Sequence, residues 1–383
     1  MMNAVVEHVL AAPSRYVQGK NVLQKLGAHL EALGSAPLLV ADDVVWDIVE
    51  DTLRGGFEEA GLPVTRVGFG SFATAEAVDA LVEKIRAGEH DIIAGVGGGS
   101  TIDAVKAAGH LAGISWASVP TAASSDAPTS ALSVIYTEEG EFVEYRFFPK
   151  NPDLVLVDTA LVAEAPERFL VGGIGDALAT WVEARAVAKT RTSTMVGDAP
   201  THTGTALAEL SWKLLWENAL EALDSVRSKR VTPALEAVVE ANTLLSGLGF
   251  ESGGLGAAHA IHNGMTAAPQ THGLTHGEKV NLGTTAQLVM EGAPSQEIED
   301  FIVFTTKVGL PNSLAEIGLT AEDTAEIEAI AEAATAEGET IHNMPFSVTA
   351  DLVADAMIAV ETISRRVRKE HGLPEPELYR APH

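Results

Sequence analysis

The chain holds twelve histidines, and four of them, His259, His262, His272 and His276, share one short window. Ala257-Ala-His-Ala-Ile-His-Asn-Gly264 sets His259 and His262 three positions apart, on one face of a predicted helix. Thr275-His-Gly-Glu278 sets His276 at the entrance of the next helix, across a loop bearing Pro and Gly. Imidazoles from consecutive helices can converge on one metal ion. A carboxylate to complete the set is offered by Gly172-Gly-Ile-Gly-Asp176, where a glycine-relaxed turn is expected to deliver Asp176 at a helix start. Two imidazoles and one carboxylate suit catalytic zinc and non-haem iron alike, so spacing leaves the metal open. Each histidine taken alone reads better as a packed or capping residue.

A second chemistry lies in Gly95-Val-Gly-Gly-Gly-Ser-Thr-Ile-Asp103, which follows a predicted strand and opens a predicted helix at Thr101. Glycines let backbone approach a ligand, and the unpaired N–H groups of a helix start attract anions. The loop fits a pyrophosphate cradle without matching the Rossmann fingerprint, whose third glycine is replaced by Ser100, or the P-loop, which needs a following Lys. A tight strand–helix turn would use the same glycines, and Asp103 could serve the first helical turn. Asp42 ends a further predicted strand, where an acid can accept hydrogen bonds from the adenine ribose and repel a 2′-phosphate. Asp43 is its rival, and a helix N-cap explains either residue.

The elements that must position these groups read as an α/β half followed by a helical half. Strands are predicted at Pro37–Ala41, Val64–Phe69, Asp91–Val96, Trp116–Val119 and Leu154–Asp158, with a hairpin from Leu132–Thr137 and Glu141–Phe148. Helical periodicity covers Val45–Ala60 and Thr74–Ala87, and then Val182–Ala188, Thr205–Val226, Pro233–Leu248 and Val348–Lys369. The texture changes near residue 160, so the expected domains are 1–162, Rossmann-like with a parallel sheet, and 163–383, helical. Acidic stretches such as Glu297–Asp300 and Ala321–Glu339 read as solvated helix faces.

Composition narrows the functions. Lys and Arg number 25 against 53 Asp and Glu, a formal net charge of −28, which disfavours nucleic acid and anionic lipid as partners. No cysteine is present, so disulfides, a thiol nucleophile and iron–sulfur ligation are excluded. Met1 to Val17 has no basic flank followed by an apolar core, and no apolar run of membrane-spanning length occurs. The expectation is a cytoplasmic enzyme with no membrane segment.

Six motifs in order carry a resemblance. They are Gly97-Gly-Gly-Ser-Thr-Ile-Asp103, Pro120-Thr-Ala-Ala-Ser-Ser-Asp-Ala-Pro128, Ser130-Ala-Leu-Ser-Val-Ile-Tyr136, Gly175-Asp-Ala-Leu-Ala-Thr180, His259-Ala-Ile-His-Asn-Gly264 and His276-Gly-Glu278. Together they resemble the glycerol dehydrogenase branch of the iron-containing (metal-dependent, group III) alcohol dehydrogenases, from Pro13 to the last helices. The resemblance implies NAD and one divalent metal, zinc before iron, held by Asp176, His259 and His276. It implies cofactor contacts at Asp42, Gly97, Gly98, Gly99, Ser100, Thr101, Asp103, Thr121, Ser124, Ser130, Leu132 and Tyr136. Asp126 corresponds to an aspartate that touches the polyol, and His262 becomes a candidate for passing the alcohol proton to solvent. A small polyol substrate and a homo-oligomer, often an octamer, are implied too. Two departures bear on the substrate: Ser100 where many such enzymes have Lys, and Thr129 where they have Cys.

The implied reaction is NAD-dependent oxidation of glycerol, or a related vicinal diol, to dihydroxyacetone or its analogue. The alternatives are a glycerol-1-phosphate dehydrogenase and a dehydroquinate-synthase-like lyase acting on a sugar phosphate. Both need a basic phosphate site, which the Lys-poor middle of this chain does not offer. A metal-binding assembly protein would leave the glycine loop unexplained, and a facial-triad oxygenase would leave the α/β half so.

Overall fold

The computed structural model describes residues 7–70, 72–140 and 142–380. Its contacts divide the chain into two compact units. One comprises Ala11–Leu170 with Asp224–Gly247, and the other Met1–Leu10, Val171–Leu223 and Leu248–His383. The single boundary expected after residue 162 is replaced by four switch points. Its texture argument could not see the return of Asp224–Gly247, whose helix Pro233–Glu240 has the same Ala/Leu/Glu character as the helical unit.

The first unit is built on six parallel strands. β1 (Tyr16–Gly19), β2 (Pro37–Ala41), β3 (Thr65–Gly68), β4 (Ile92–Gly97), β5 (Ser115–Pro120) and β8 (Leu154–Asp158) lie in the order β1-β8-β5-β4-β2-β3. β6 (Leu132–Tyr136) and β7 (Phe142–Phe147) form a separate antiparallel pair. Glu141, expected in that hairpin, lies outside the described residues.

Alternation along β2 explains its uninterrupted apolar run. Leu38 and Val40 pack with Val78, Leu81 and Val105 on one face, while Leu39 and Ala41 pack with Trp46, Leu53 and Phe57 on the other. A strand covered by helices on both faces has no solvent side to mark with polar residues. β1 was not expected: it is four residues long, half-buried and at the sheet edge, and Gln18 interrupts its apolar pattern.

The second unit is helical. Its core joins the helices Ala257–Met265, His276–Met290, Thr324–Ala334 and Ala350–Glu370 through residues such as Ile261, Leu282, Ile330, Met357 and Val360. The acidic stretch 321–339 thus presents Ile327, Ile330 and Ala331 to this core and leaves Glu322, Glu328, Glu332 and Glu337 exposed, while Glu326 and Glu339 are half-buried. No helix among the described residues is long and apolar enough to cross a membrane.

Candidate metal and cofactor sites

In the helical unit, three helices bring Asp176, His259 and His276 together, with their ligand atoms within 4.8 Å of one another. His259 Nε2 and His276 Nε2 each lie 3.2 Å from the same oxygen, Asp176 Oδ1. The position of Asp176 corrects the sequence reading. It sits inside a continuous helix, Glu167–Thr190, rather than at a helix start after a turn. The neighbouring glycines serve close approach instead. A methyl on Gly277 would stand 1.7 Å from the Gly172 carbonyl oxygen, and one on Gly175 would stand 2.5 Å from the Gly277 carbonyl. The Asp176 helix and the His276 helix therefore meet backbone to backbone. His276 begins its helix as expected, behind a capping box in which Thr275 and Glu278 satisfy each other's backbone N–H groups.

Both imidazoles have an outer partner. His259 Nδ1 is 2.6 Å from Glu183 Oε2, and the other Glu183 oxygen accepts from the Gly256 and His259 backbone N–H groups at 2.9 and 3.0 Å. Glu183 is fully buried and lies seven residues, two helical turns, beyond Asp176 on the same helix. Such a carboxylate keeps the proton on Nδ1 and turns Nε2 toward a metal. His276 Nδ1 is 3.1 Å from His262 Nε2.

The clustered groups act on one another's charge. Burial alone would raise the Asp176 carboxyl, but the His276 and His259 imidazoles hold it well below the usual carboxylate range. Burial works against charge on His259 as well, yet the Glu183 and Asp176 carboxylates override it and hold this group well above the usual imidazole value. Burial, with the His276, Lys279 and His259 charges added, pushes His262 well below that value. His272, at the surface, bonds the Thr266 carbonyl and takes no part.

The other predicted cofactor and substrate residues lie in the sheet unit, with the glycine loop, Thr121 and Asp42 at the C-terminal ends of adjacent parallel strands. Gly97 ends β4, Gly98 caps the helix Gly99–Ala112, and Ser100 and Thr101 form its first turn. Thr121 follows the neighbouring β5 and donates its N–H to the Gly97 carbonyl at 3.2 Å. Asp42 follows β2 on the other side and is the N-cap of the helix Asp43–Glu59, accepting from Val45 N at 2.8 Å. Asp43, its rival, pairs with Arg66.

Asp103 is buried and paired with Lys106, 3.0 Å away. Lys106 is itself fully buried and donates to the Ala127 carbonyl at 2.7 Å and to Ser130 Oγ at 3.3 Å. It thereby ties the glycine-loop helix to the loop that bears Ser124 and Asp126. Leu132 and Tyr136 lie on β6, and burial, with Asp103 and Tyr145 nearby, raises the Tyr136 phenol.

Asp126 is buried, and its Oδ2 accepts from Ser246 Oγ at 2.7 Å. Ser246 comes from the segment 224–247, just beyond a π-helical turn at Ala241–Leu245. That turn also sends Asn242 Nδ2 to the Ala123 carbonyl at 3.0 Å and accepts from Thr129 Oγ1 at the Thr243 carbonyl at 3.2 Å. Irregular turns of this kind recur at functional sites. The sequence reading missed Glu183, Lys106 and Ser246. The first two are legible as helical neighbours of Asp176 and Asp103, whereas nothing local marks Ser246.

The comparisons bear on the same residues. Residues 13–159 match the family model described as iron-containing alcohol dehydrogenase. A glycerol dehydrogenase of Escherichia coli is 46% identical over 365 residues, covering 95% of this chain and all of that protein. The chain belongs to the iron-containing alcohol dehydrogenase family. A glycolaldehyde reductase of Halobacterium salinarum is 49% identical over 360 residues, 94% of this chain and 99% of that one. The crystal structure of a glycerol dehydrogenase from Schizosaccharomyces pombe superposes with a TM-score of 0.94 at 38% identity, covering 99% of this chain and 96% of that one. As a member of this family the protein is an oxidoreductase with the fold expected of the branch.

Proposed function

We propose that the protein oxidises glycerol and related vicinal diols with NAD. The reaction removes hydride from the carbinol carbon and a proton from its hydroxyl, giving dihydroxyacetone, NADH and H⁺. The observation that carries this reading is the pair of imidazole Nε2 atoms converging on one Asp176 oxygen. A carboxylate with two imidazoles, and no thiolate anywhere in the chain, fits a divalent ion, zinc before iron. When bound, the metal supplies Lewis-acid polarisation of the secondary hydroxyl, and NAD supplies the hydride acceptor.

The chain's own residues do the holding. Asp176, His259 and His276 would hold the metal, with Glu183 orienting His259. The glycine-loop N–H groups at Gly98 to Thr101 would bind the pyrophosphate, Thr121 and Ser124 would lie on the nicotinamide side, and Ser130, Leu132 and Tyr136 would neighbour the cofactor. Asp42 spends Oδ1 on its helix cap, which leaves Oδ2 for the adenine ribose and favours NAD over NADP. Asp126, steadied by Ser246, accepts a hydrogen bond from the hydroxyl that is not oxidised. Both ring nitrogens of His262 are engaged, by His276 and Asn263, so an alcohol proton reaches it only through His276. We assign the protein to the cytoplasm and to a homo-oligomer, with an octamer favoured by the family resemblance.

The glycolaldehyde reductase relative favours a second reading within the same chemistry. Glycolaldehyde and dihydroxyacetone are both hydroxycarbonyls with the hydroxyl on the neighbouring carbon, so in this second reading the physiological direction is reduction. Absorbance of the reduced nicotinamide separates these readings. It is expected to rise with NAD and glycerol, more slowly with NADP, and to fall with NADH and glycolaldehyde. His276→Ala is expected to lose the metal and nearly all of both activities while its circular dichroism is kept. Turnover of glycerol 1-phosphate or a sugar phosphate without turnover of glycerol overturns the proposal.

A further inference from the structure

The hydrogen bonds beyond His276 form a chain with one direction. A neutral imidazole that offers Nε2 to a metal carries its proton on Nδ1. His276 Nδ1–H must therefore donate to His262 Nε2, 3.1 Å away. An imidazole that accepts at Nε2 carries its own proton on Nδ1, and His262 Nδ1 lies 3.1 Å from Asn263 Oδ1, an acceptor. The amide's other end, Asn263 Nδ2, donates to Glu339 Oε2 at 3.1 Å. Glu339 is a half-buried carboxylate that also takes the Thr340 backbone N–H. Every link has a donor facing an acceptor, and reversing any one would set like against like.

We propose that Asn263 and Glu339 are positioning residues of the metal site, which fix the tautomer of His276 through His262. Glu339 presents only acceptor oxygens, so Asn263 must turn its NH₂ outward and its carbonyl toward His262. His262 is thereby left able only to accept from His276. The two imidazoles are then oriented by different means: His259 directly by a buried carboxylate, and His276 by one three residues removed along a relay. This inference rests on the metal-site reading of Asp176, His259 and His276.

The test uses the full-length protein loaded with cobalt(II), read by chelator competition and by the cobalt visible absorption bands. Asn263→Leu and Glu339→Ala are expected to weaken cobalt binding by about ten- to a hundredfold and to shift the bands. Glu339→Gln can still turn an oxygen to Asn263 Nδ2, so it is expected to stay within about threefold of the native protein. Should Asn263→Leu fail to fold, the half-buried Glu339 pair decides alone. Native affinity and spectrum in Glu339→Ala overturn the proposal, and so does a loss in Glu339→Gln equal to that in Glu339→Ala. If the native protein holds no cobalt, the metal reading itself falls, which is a different result from a loaded protein indifferent to residue 339.

Discussion

Asp126 shows how one buried side chain can be read two ways. Its carboxylate accepts from Ser246 across a long loop of sequence, and a purely structural cap would do the same. A group that orients the diol must cost transition-state energy when its charge is removed. Asp126→Asn is therefore expected to lower kcat/KM for glycerol by roughly 1–3 kcal/mol, with Ser246→Ala giving a smaller loss in the same parameter. Steady-state kinetics check this, and an unchanged kcat/KM makes Asp126 a cap. The metal trio was legible from residue type and order. The hydrogen bond from Asn263 to Glu339 was not, because the two stand 76 positions apart and no local pattern announces that contact.

Among elements, the strands legible to the residue were those with both faces covered. Pro37–Ala41 and Leu154–Asp158 coincide with β2 and β8, because full burial writes an unbroken apolar run. The edge strand β1 carries no such run and was missed. Glycine misled once, at Gly172 to Gly175, where the pattern of a chain break serves a helix contact. Only substitution separates these uses. A methyl at Gly277 would press on the Gly172 carbonyl and on Asp176 N, backbone atoms that cannot rotate aside. Gly277→Ala is expected to destabilise the protein by about 1–3 kcal/mol or more and to lower its metal content, because the helices it separates carry Asp176 and His276. Gly55 lies exposed on the helix Asp43–Glu59 with open space where a methyl would go. Gly55→Ala is expected to be neutral or to stabilise by about 0.5–1 kcal/mol. Thermal melts and metal analysis of the two variants check the contrast.

At the scale of the whole molecule the governing quantity is the net charge of −28. Exposed ion pairs such as Arg227 with Glu167 and Arg366 with Glu299 offset little of that repulsion. Salt screens it, because the Debye length shrinks from about 10 Å at 0.1 M to about 3 Å at 1 M. The thermal midpoint is therefore expected to rise between dilute and molar potassium chloride. A midpoint that falls would mean that attractive pairs, and not acid–acid repulsion, dominate the surface.

The return of residues 224–247 to the sheet unit also sets the order in which the protein can be made. Its strands are complete once Leu170 has been synthesised, but Glu236, which accepts from Gln18 and Thr159, and Ser246, which holds Asp126, come later. At about 5–20 residues per second, the 77 positions from 170 to 247 take roughly 4–15 s to emerge from a ribosome. Throughout that interval the nascent sheet lacks the helix Pro233–Glu240, and the 121–130 loop lacks its anchors Asn242, Thr243 and Ser246. The first half of this chain therefore waits without its closing segment during translation, and a gene cut after residue 170 would encode a sheet that never receives it.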